Sequence, residues 1–185
     1  MVIHRATGRA NQCGVVAIAS ILGYGVNPKM RKTEIVARTL RETTGRQRIT
    51  EVGIVEAART LRVYGYRVRA IDVFGLGTRA GARAKGIRKT LDYYKMEDVE
   101  VRETDTAKPI LSHHCGRIEH RGKCDRVHMI HCTMKGKQHW VTLDEYGYTA
   151  DNGRYATRKP RPHQEQNYCY CEARVMTNLE IVKVL

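Results

Sequence analysis

Apolar residues recur at helical spacing in three segments of the first part of the chain. Residues 13–22 are apolar almost all round, which is typical of a helix at the centre of a core. A second helix is predicted after the break at Asn27-Pro28, with Gly45 as its stop, and a third helix after a Thr50 cap, with Gly65 beyond its end. The inward stripes of the second and third helices are Ile35, Val36 and Leu40, and Val52, Ile54, Val55, Ala58 and Leu61.

From residue 66 the period changes to two, which indicates strands. Residues 66–74 predict a strand, 75–81 a glycine-rich loop, and the region around 83–94 a further helix. The remaining predicted strands are 99–103, 110–114, 128–134, 139–143, 148–150, 168–176 and 179–184.

Helices first and strands second is an α+β order. The expected architecture is a single domain over residues 1–185, with N-terminal helices packed on a C-terminal antiparallel sheet. Its mainly helical half is residues 1–95 and its mainly β half is residues 96–185.

The composition is that of one ordinary globular domain: 185 residues, of which 42% are hydrophobic. No apolar run is long enough to cross a bilayer, and no signal peptide is recognisable at the N-terminus. Six cysteines in a chain of this length do not resemble a secreted disulfide framework. We therefore expect a protein of the cytoplasm, or one associated with a virion assembled there.

The formal net charge of +14 is the second strong feature of the chain. A globular protein this basic is attracted to polyanions, of which nucleic acid is one. The alternative is that these side chains form solvated helix faces. The residues expected to contact nucleic acid, without sequence specificity, lie in the glycine-rich loop and directly after it. They are Arg79, Arg83, Lys85, Arg88 and Lys89.

A lone cysteine lies where an irregular segment becomes the first helix, in Asn11-Gln12-Cys13-Gly14. The first turn of a helix offers unpaired backbone N–H groups and the positive end of the macrodipole, and both stabilise a thiolate. Gly14 is expected to leave the backbone beside the thiol open to a substrate carbonyl. The plain alternative is that Cys13 is a small hydrophobe at the start of a buried helix.

His139 lies in a predicted strand, and Asp151-Asn152-Gly153 ends the next one. A cysteine on a helix tip, a histidine on a strand and an acid or amide on the following strand form a nucleophile, a base and an orienter. Asp151 is the preferred orienter and Asn152 its rival. The same tripeptide is also an ordinary turn sequence.

The order and context of these residues resemble the papain-like cysteine peptidases, and most closely the compact bacteriocin-leader-processing (double-glycine) peptidases and related small phage and bacterial proteins. The resemblance covers most of residues 1–155. It implies the papain-like fold and hydrolysis of a peptide or isopeptide bond in a polypeptide substrate, without a cofactor. Cys13 would be the nucleophile, His139 the general base and Asp151 the orienter. The motifs that carry it are Cys13-Gly14 before an aliphatic helix, Gly65-Tyr66, Pro109-Ile110-Leu111 and His139-Trp140-Val141.

One departure from the family pattern concerns the oxyanion. The family usually carries a glutamine some residues before the cysteine, where this chain has Thr7-Gly8-Arg9-Ala10. Either Asn11 or Gln12 substitutes, or the oxyanion hole is incomplete. An inactive, strongly basic structural or interaction protein of the same fold, associated with a phage particle or with nucleic acid, is therefore the alternative to an enzyme.

Histidines and cysteines are dense between residues 113 and 132, and such side chains bind zinc. Their spacing matches no closed Cys/His module. We expect strand residues and a polar loop here rather than a metal site. The alternative zinc ligands are Cys115, Cys124 and Cys132.

Overall fold

The computed structural model describes residues 12–22, 32–49, 51–75, 77–104, 126–134, 137–143, 149–150 and 174–183. Within them lie four helices and six strands, so the α+β class predicted from the sequence is confirmed. The helices are α1 (Cys13–Ile21), α2 (Lys32–Thr44), α3 (Ile54–Val63) and α4 (Thr78–Tyr93). The strands are β1 (Tyr66–Phe74), β2 (Glu100–Thr104), β3 (Arg126–Met134), β4 (Lys137–Leu143), β5 (Thr149–Ala150) and β6 (Arg174–Lys183).

The strands form one sheet in the order β2-β1-β6-β3-β4-β5. All neighbouring strands are antiparallel except β1 and β2, which are parallel. The expectation of a purely antiparallel sheet is therefore wrong at this pair. The reason is α4, which joins β1 to β2 as a crossover helix and returns the chain in the same direction. Since β1 precedes residue 95, the sheet also includes a strand from the half predicted as mainly helical.

Helix α1 lies at the centre of the core, because every residue from Gly14 to Ile21 is buried. The hydroxyl of Ser20, the polar residue in this run, donates to the Val16 carbonyl oxygen at 2.8 Å. Helices α2 and α3 contact α1, and α1 and α3 contact the sheet. The buried cluster that includes α1 also contains apolar side chains of the other elements, among them Leu40, Leu61, Ile71, Met129, Leu179 and Ile181.

Two predicted helix starts are wrong. Helix α3 begins after Gly53, whose N–H donates to the Glu56 carboxylate at 2.8 Å, rather than after Thr50, which lies outside the described residues. Helix α4 begins at Thr78, inside the predicted loop at 75–81, after Gly77 with its φ of +81°. The apolar stripe of α4 already starts at Ala80, so burial extends the helix towards its N-terminus.

Strand β6 replaces two predicted strands. The sequence predicted 168–176 and 179–184, but Thr177 and Asn178 continue a single strand that pairs with β1 on one side and β3 on the other. Both residues are buried, and the Asn178 amide donates to Asp72 at 2.8 Å. The interruption therefore reflects polar residues tolerated inside a central strand. The predicted strand at 110–114 and residues 168–173 lie outside the described part of the chain.

A charged network joins three strands around Arg102 of β2. Its guanidinium donates to Asp72 of β1 at 2.7 Å and to Glu180 of β6 at 2.9 Å. The side chains of Asp72 and Glu180 are only 13% and 6% exposed. Buried carboxylates need such a partner, since an unpaired charge in the interior is costly. This network ties β2 to the centre of the sheet.

None of the helices in the described part of the chain is long and apolar enough to span a membrane.

Candidate active site

Cys13 is the first residue of α1, and its side chain is half-buried, in contrast to the fully buried residues that follow it. Gln12 occupies the N-cap position and makes no side-chain cap hydrogen bond. The first N–H groups of α1 therefore have no partner within their own helix. The sequence places a thiol at the end of the helix where an anion is best stabilised.

His139 lies in β4 opposite Cys132 of β3. Strand β5 pairs with only Thr142 and Leu143 of β4. Among the described residues, no strand covers the outer edge of β4 at His139 and Trp140, and α1 contacts this strand. The N-terminus of α1 thereby meets the part of β4 that carries the histidine.

The structure brings the side chains of Cys13 and His139 into hydrogen-bonding contact. Burial raises the pKa of the Cys13 thiol, but the hydrogen bond with His139, hydrogen bonds with the backbone amides of Trp140 and Gly14, and the charge of His139 all lower it. Together these contacts outweigh the effect of burial, so the pKa of Cys13 lies below its ordinary value. A half-buried thiol with a depressed pKa beside an imidazole is the arrangement of an activated nucleophile.

Trp140 contacts three of the elements that surround the Cys13 thiol. Its backbone amide contacts Cys13, and its indole N–H donates to the Val52 carbonyl oxygen at 3.2 Å. On the neighbouring strand, the His131 ring packs against the indole with ring centroids 4.7 Å apart. A single buried residue thus links α1, the segment before α3, and β3.

Gly14 packs closely against two neighbouring side chains. A β-carbon added to it would lie 2.7 Å from the Val52 Cβ and 3.1 Å from the Trp140 Cδ1. The α-carbon of Gly14 therefore faces packed side chains, while Gly14 also forms part of the wall of the cavity beside Cys13. Glycine is required because Val52 and Trp140 approach the helix closely.

A cavity of about 510 Å³ opens beside Cys13. One wall is the start of α1, the second is the segment that leads into α3, and the third is formed by β3 and β4. The volume lies in the range of small-molecule and peptide-side-chain sites. The lining includes Gln12, Cys13, Arg46, Glu51, Val52, Glu56, His131, Gln138 and Trp140.

His131 and Gln138 are site residues that sequence reasoning missed. Their side chains are hydrogen-bonded to each other, and both line the cavity. Burial lowers the pKa of His131, and this effect outweighs the opposing hydrogen bond with Gln138, so the imidazole favours the neutral form. The alternation in β3 placed His131 and Met129 on one face of the strand, and the burial of Met129 in the core would have pointed His131 towards the helices.

Three of the predicted site residues, Asp151, Asn152 and Asn11, lie outside the described residues, whereas Gln12 lines the cavity.

The basic residues predicted to contact nucleic acid lie on α4 and do not line the cavity beside Cys13. The Arg88 guanidinium is 2.9 Å from Glu103, and the Arg83 guanidinium donates to the Met176 carbonyl oxygen at 3.5 Å. Arg79 and Arg83 line a separate cavity of about 420 Å³ at the N-terminus of α4. Lys85 and Lys89 are exposed.

Of the alternative zinc ligands, Cys132 is buried in β3, and Cys115 and Cys124 lie outside the described residues. The described part of the chain contains no group of three side chains that could hold a metal ion.

No protein-family model, no curated protein and no solved structure matches this chain.

Proposed function

We propose that the chain is a papain-like cysteine peptidase that hydrolyses a peptide or isopeptide bond. The observation that carries the proposal is the hydrogen bond between Cys13 and His139, together with the depressed pKa of the thiol, at the edge of an open cavity. Nucleophile and base lie within hydrogen-bond reach of each other, which is the first geometric requirement of covalent catalysis.

In the acylation step, the Cys13 sulfur attacks the carbonyl carbon of the scissile bond while His139 holds the thiol proton. The carbonyl oxygen becomes negatively charged in the tetrahedral intermediate. The backbone N–H of Cys13, in the first turn of α1, is available to stabilise that charge. Gln12 lines the same cavity and supplies a second donor in place of the upstream glutamine of the family.

Collapse of the intermediate breaks the carbon–nitrogen bond, and His139 donates its proton to the leaving amine. A thioester on Cys13 remains. In the deacylation step, His139 removes a proton from water, the resulting hydroxide attacks the thioester, and the proton returns to the Cys13 sulfur as the acid product leaves. Asp151, or Asn152 in its place, is the residue we propose to orient the His139 ring.

Alkylation by iodoacetamide at a series of pH values tests the proposal. Trypsin releases residues 10–29, in which Cys13 is the single cysteine, so mass spectrometry follows this thiol alone. We expect the rate of Cys13 alkylation to rise at a pH well below about 8.5, which is the pKa of an ordinary thiol. In His139→Ala the midpoint of the pH profile of Cys13 alkylation should shift to higher pH, because the hydrogen bond from His139 and its positive charge are both lost.

Buried Cys132 is the internal control and should react slowly at every pH. Identical profiles for Cys13 in the wild-type protein and in His139→Ala would contradict the proposal. The basic, non-enzymatic interaction protein would then be the better description of the chain.

A further inference from the structure

The cavity beside Cys13 is lined by three charged side chains, Arg46, Glu51 and Glu56. Arg46 and Glu56 form an ion pair with each other. Glu56 also accepts the Gly53 N–H at 2.8 Å, and Arg46 donates to the backbone carbonyl oxygen of Glu51 at 3.1 Å. The charges of Arg46 and Glu56 therefore cancel within the cavity wall.

The third charged side chain of the lining is the Glu51 carboxylate. Its residue is exposed, and within the described ranges no cation forms an ion pair with this side chain. Its charge reaches across the cavity, since it favours the protonated form of His131. Arg83 and His139 act on His131 in the opposite sense, but the Arg83 guanidinium lines the separate cavity at the start of α4.

The rest of the lining carries no net charge. Partial burial favours the neutral form of His131, and Gln12 and Gln138 are neutral amides. The Cys13 thiol counts as neutral in the formal charge of the lining. With one positive and two negative side chains, the lining has a formal charge of −1 (+1 − 2), whereas the whole chain carries +14.

We propose that Glu51 selects a substrate with a lysine or arginine side chain within about two residues of the scissile bond. The cationic side chain would enter the cavity with its alkyl stem against Val52 and Ile49 and its charged head near Glu51. This inference rests on the proposed peptidase function, of which it names the substrate class. The local charge is opposite in sign to that of the chain as a whole, so it favours such a substrate only at short range.

The charge of the cavity can be measured without a substrate. Two thiol reagents of opposite charge, 2-aminoethyl and 2-sulfonatoethyl methanethiosulfonate, form a disulfide with Cys13 and release a sulfinate. The quantity of interest is the ratio of their second-order rates at 0.15 M salt. We expect Glu51→Gln to lower the cationic-to-anionic ratio by roughly fivefold, because one negative charge is lost close to the thiol.

Glu34→Gln is the matched control, since Glu34 is an exposed glutamate on α2 that does not line the cavity. It should leave the ratio within about twofold of wild type, because the charge of an exposed side chain outside the cavity is strongly screened by water and salt. A ratio that is equally unchanged in Glu51→Gln would overturn the proposal.

The substrate class is tested with a peptide library digested by the wild-type protein, with Cys13→Ser as the blank. Cleavage sites should be enriched in lysine or arginine within two residues of the cut, and Glu51→Gln should reduce that enrichment. Cleavage with no such enrichment would sink the substrate assignment and leave the peptidase proposal standing. Absence of any cleavage, with an unshifted Cys13 alkylation profile, would sink both.

Discussion

The α-carbon of Gly14 faces Val52 so closely that a β-carbon built on it would lie 2.7 Å from the Val52 Cβ. This contact packs the N-terminal end of α1 against the segment that leads into α3. Gly14→Ala should destabilise the protein by about 1–3 kcal/mol, because neither neighbour is the end of a flexible side chain. Urea unfolding followed by far-UV circular dichroism measures the loss.

Gly86→Ala is the control for the Gly14 prediction. Gly86 lies in α4, is exposed, and has nothing within 4 Å of an added β-carbon. Alanine should stabilise this helix interior by up to about 1 kcal/mol. If both variants were as stable as wild type, the packing argument at Gly14 would be wrong.

Arg102→Ala should destabilise the fold by about 2–4 kcal/mol, because it leaves the buried carboxylates of Asp72 and Glu180 without their principal cation. Arg88→Ala removes a guanidinium 2.9 Å from Glu103, but both of those side chains are nearly half exposed, so the cost should stay below about 1 kcal/mol. Equilibrium urea unfolding compares the two variants. Equal losses would show that burial does not distinguish the two ion pairs.

Acid should weaken the fold through His131. Burial is the main cause that lowers the pKa of His131 in the folded state, so the unfolded chain binds a proton at higher pH than the native protein does. The stability that the neutral imidazole supports is present above the unfolded pKa of about 6.5 and is lost as the pH falls through the folded value.

His131→Gln isolates this effect, since its side chain does not titrate. The difference in unfolding free energy between wild type and His131→Gln should be constant above about pH 7.5 and move against wild type as the pH falls below about 6.5. Urea unfolding at several pH values from 5 to 8 measures it. Parallel pH curves for the two proteins would rule out a role for His131 in acid sensitivity.

Trp140→Phe should separate packing from chemistry. The substitution removes the indole donor to the Val52 carbonyl oxygen and should cost about 1–3 kcal/mol of stability. The backbone amide at position 140 remains, so the rate of Cys13 alkylation by iodoacetamide in native buffer should stay within about threefold of wild type. A large fall in that rate with unchanged stability would assign the indole a direct role at the thiol.

Local periodicity was sufficient to predict α1, α2 and β1, and the α+β class follows from it. It does not reveal which strands are neighbours, so the parallel pairing of β1 with β2 was missed. The helix starts at Ile54 and Thr78 depend on a Glu56 hydrogen bond and on burial of Ala80, which apolar spacing alone does not encode.

The candidate site likewise includes residues that local sequence patterns predict and residues that only the tertiary structure brings together. The contact between Cys13 and His139 follows from a helix start and a strand that sequence patterns locate. His131 and Glu51 reach the cavity through cross-strand register and through the path of the chain before α3. Both depend on tertiary structure, so no local sequence motif predicts the positions of His131 and Glu51 in the cavity.

Every residue of α1 after Cys13 is buried, so the helix that carries the thiol cannot move without disrupting the packing of the core. A change in the position of Cys13 relative to His139 therefore requires movement of β4 rather than of α1. Heat should abolish the low-pH reactivity of the Cys13 thiol at the same temperature as the fold, because in the unfolded chain the thiol loses its contact with His139 and reacts as an ordinary cysteine.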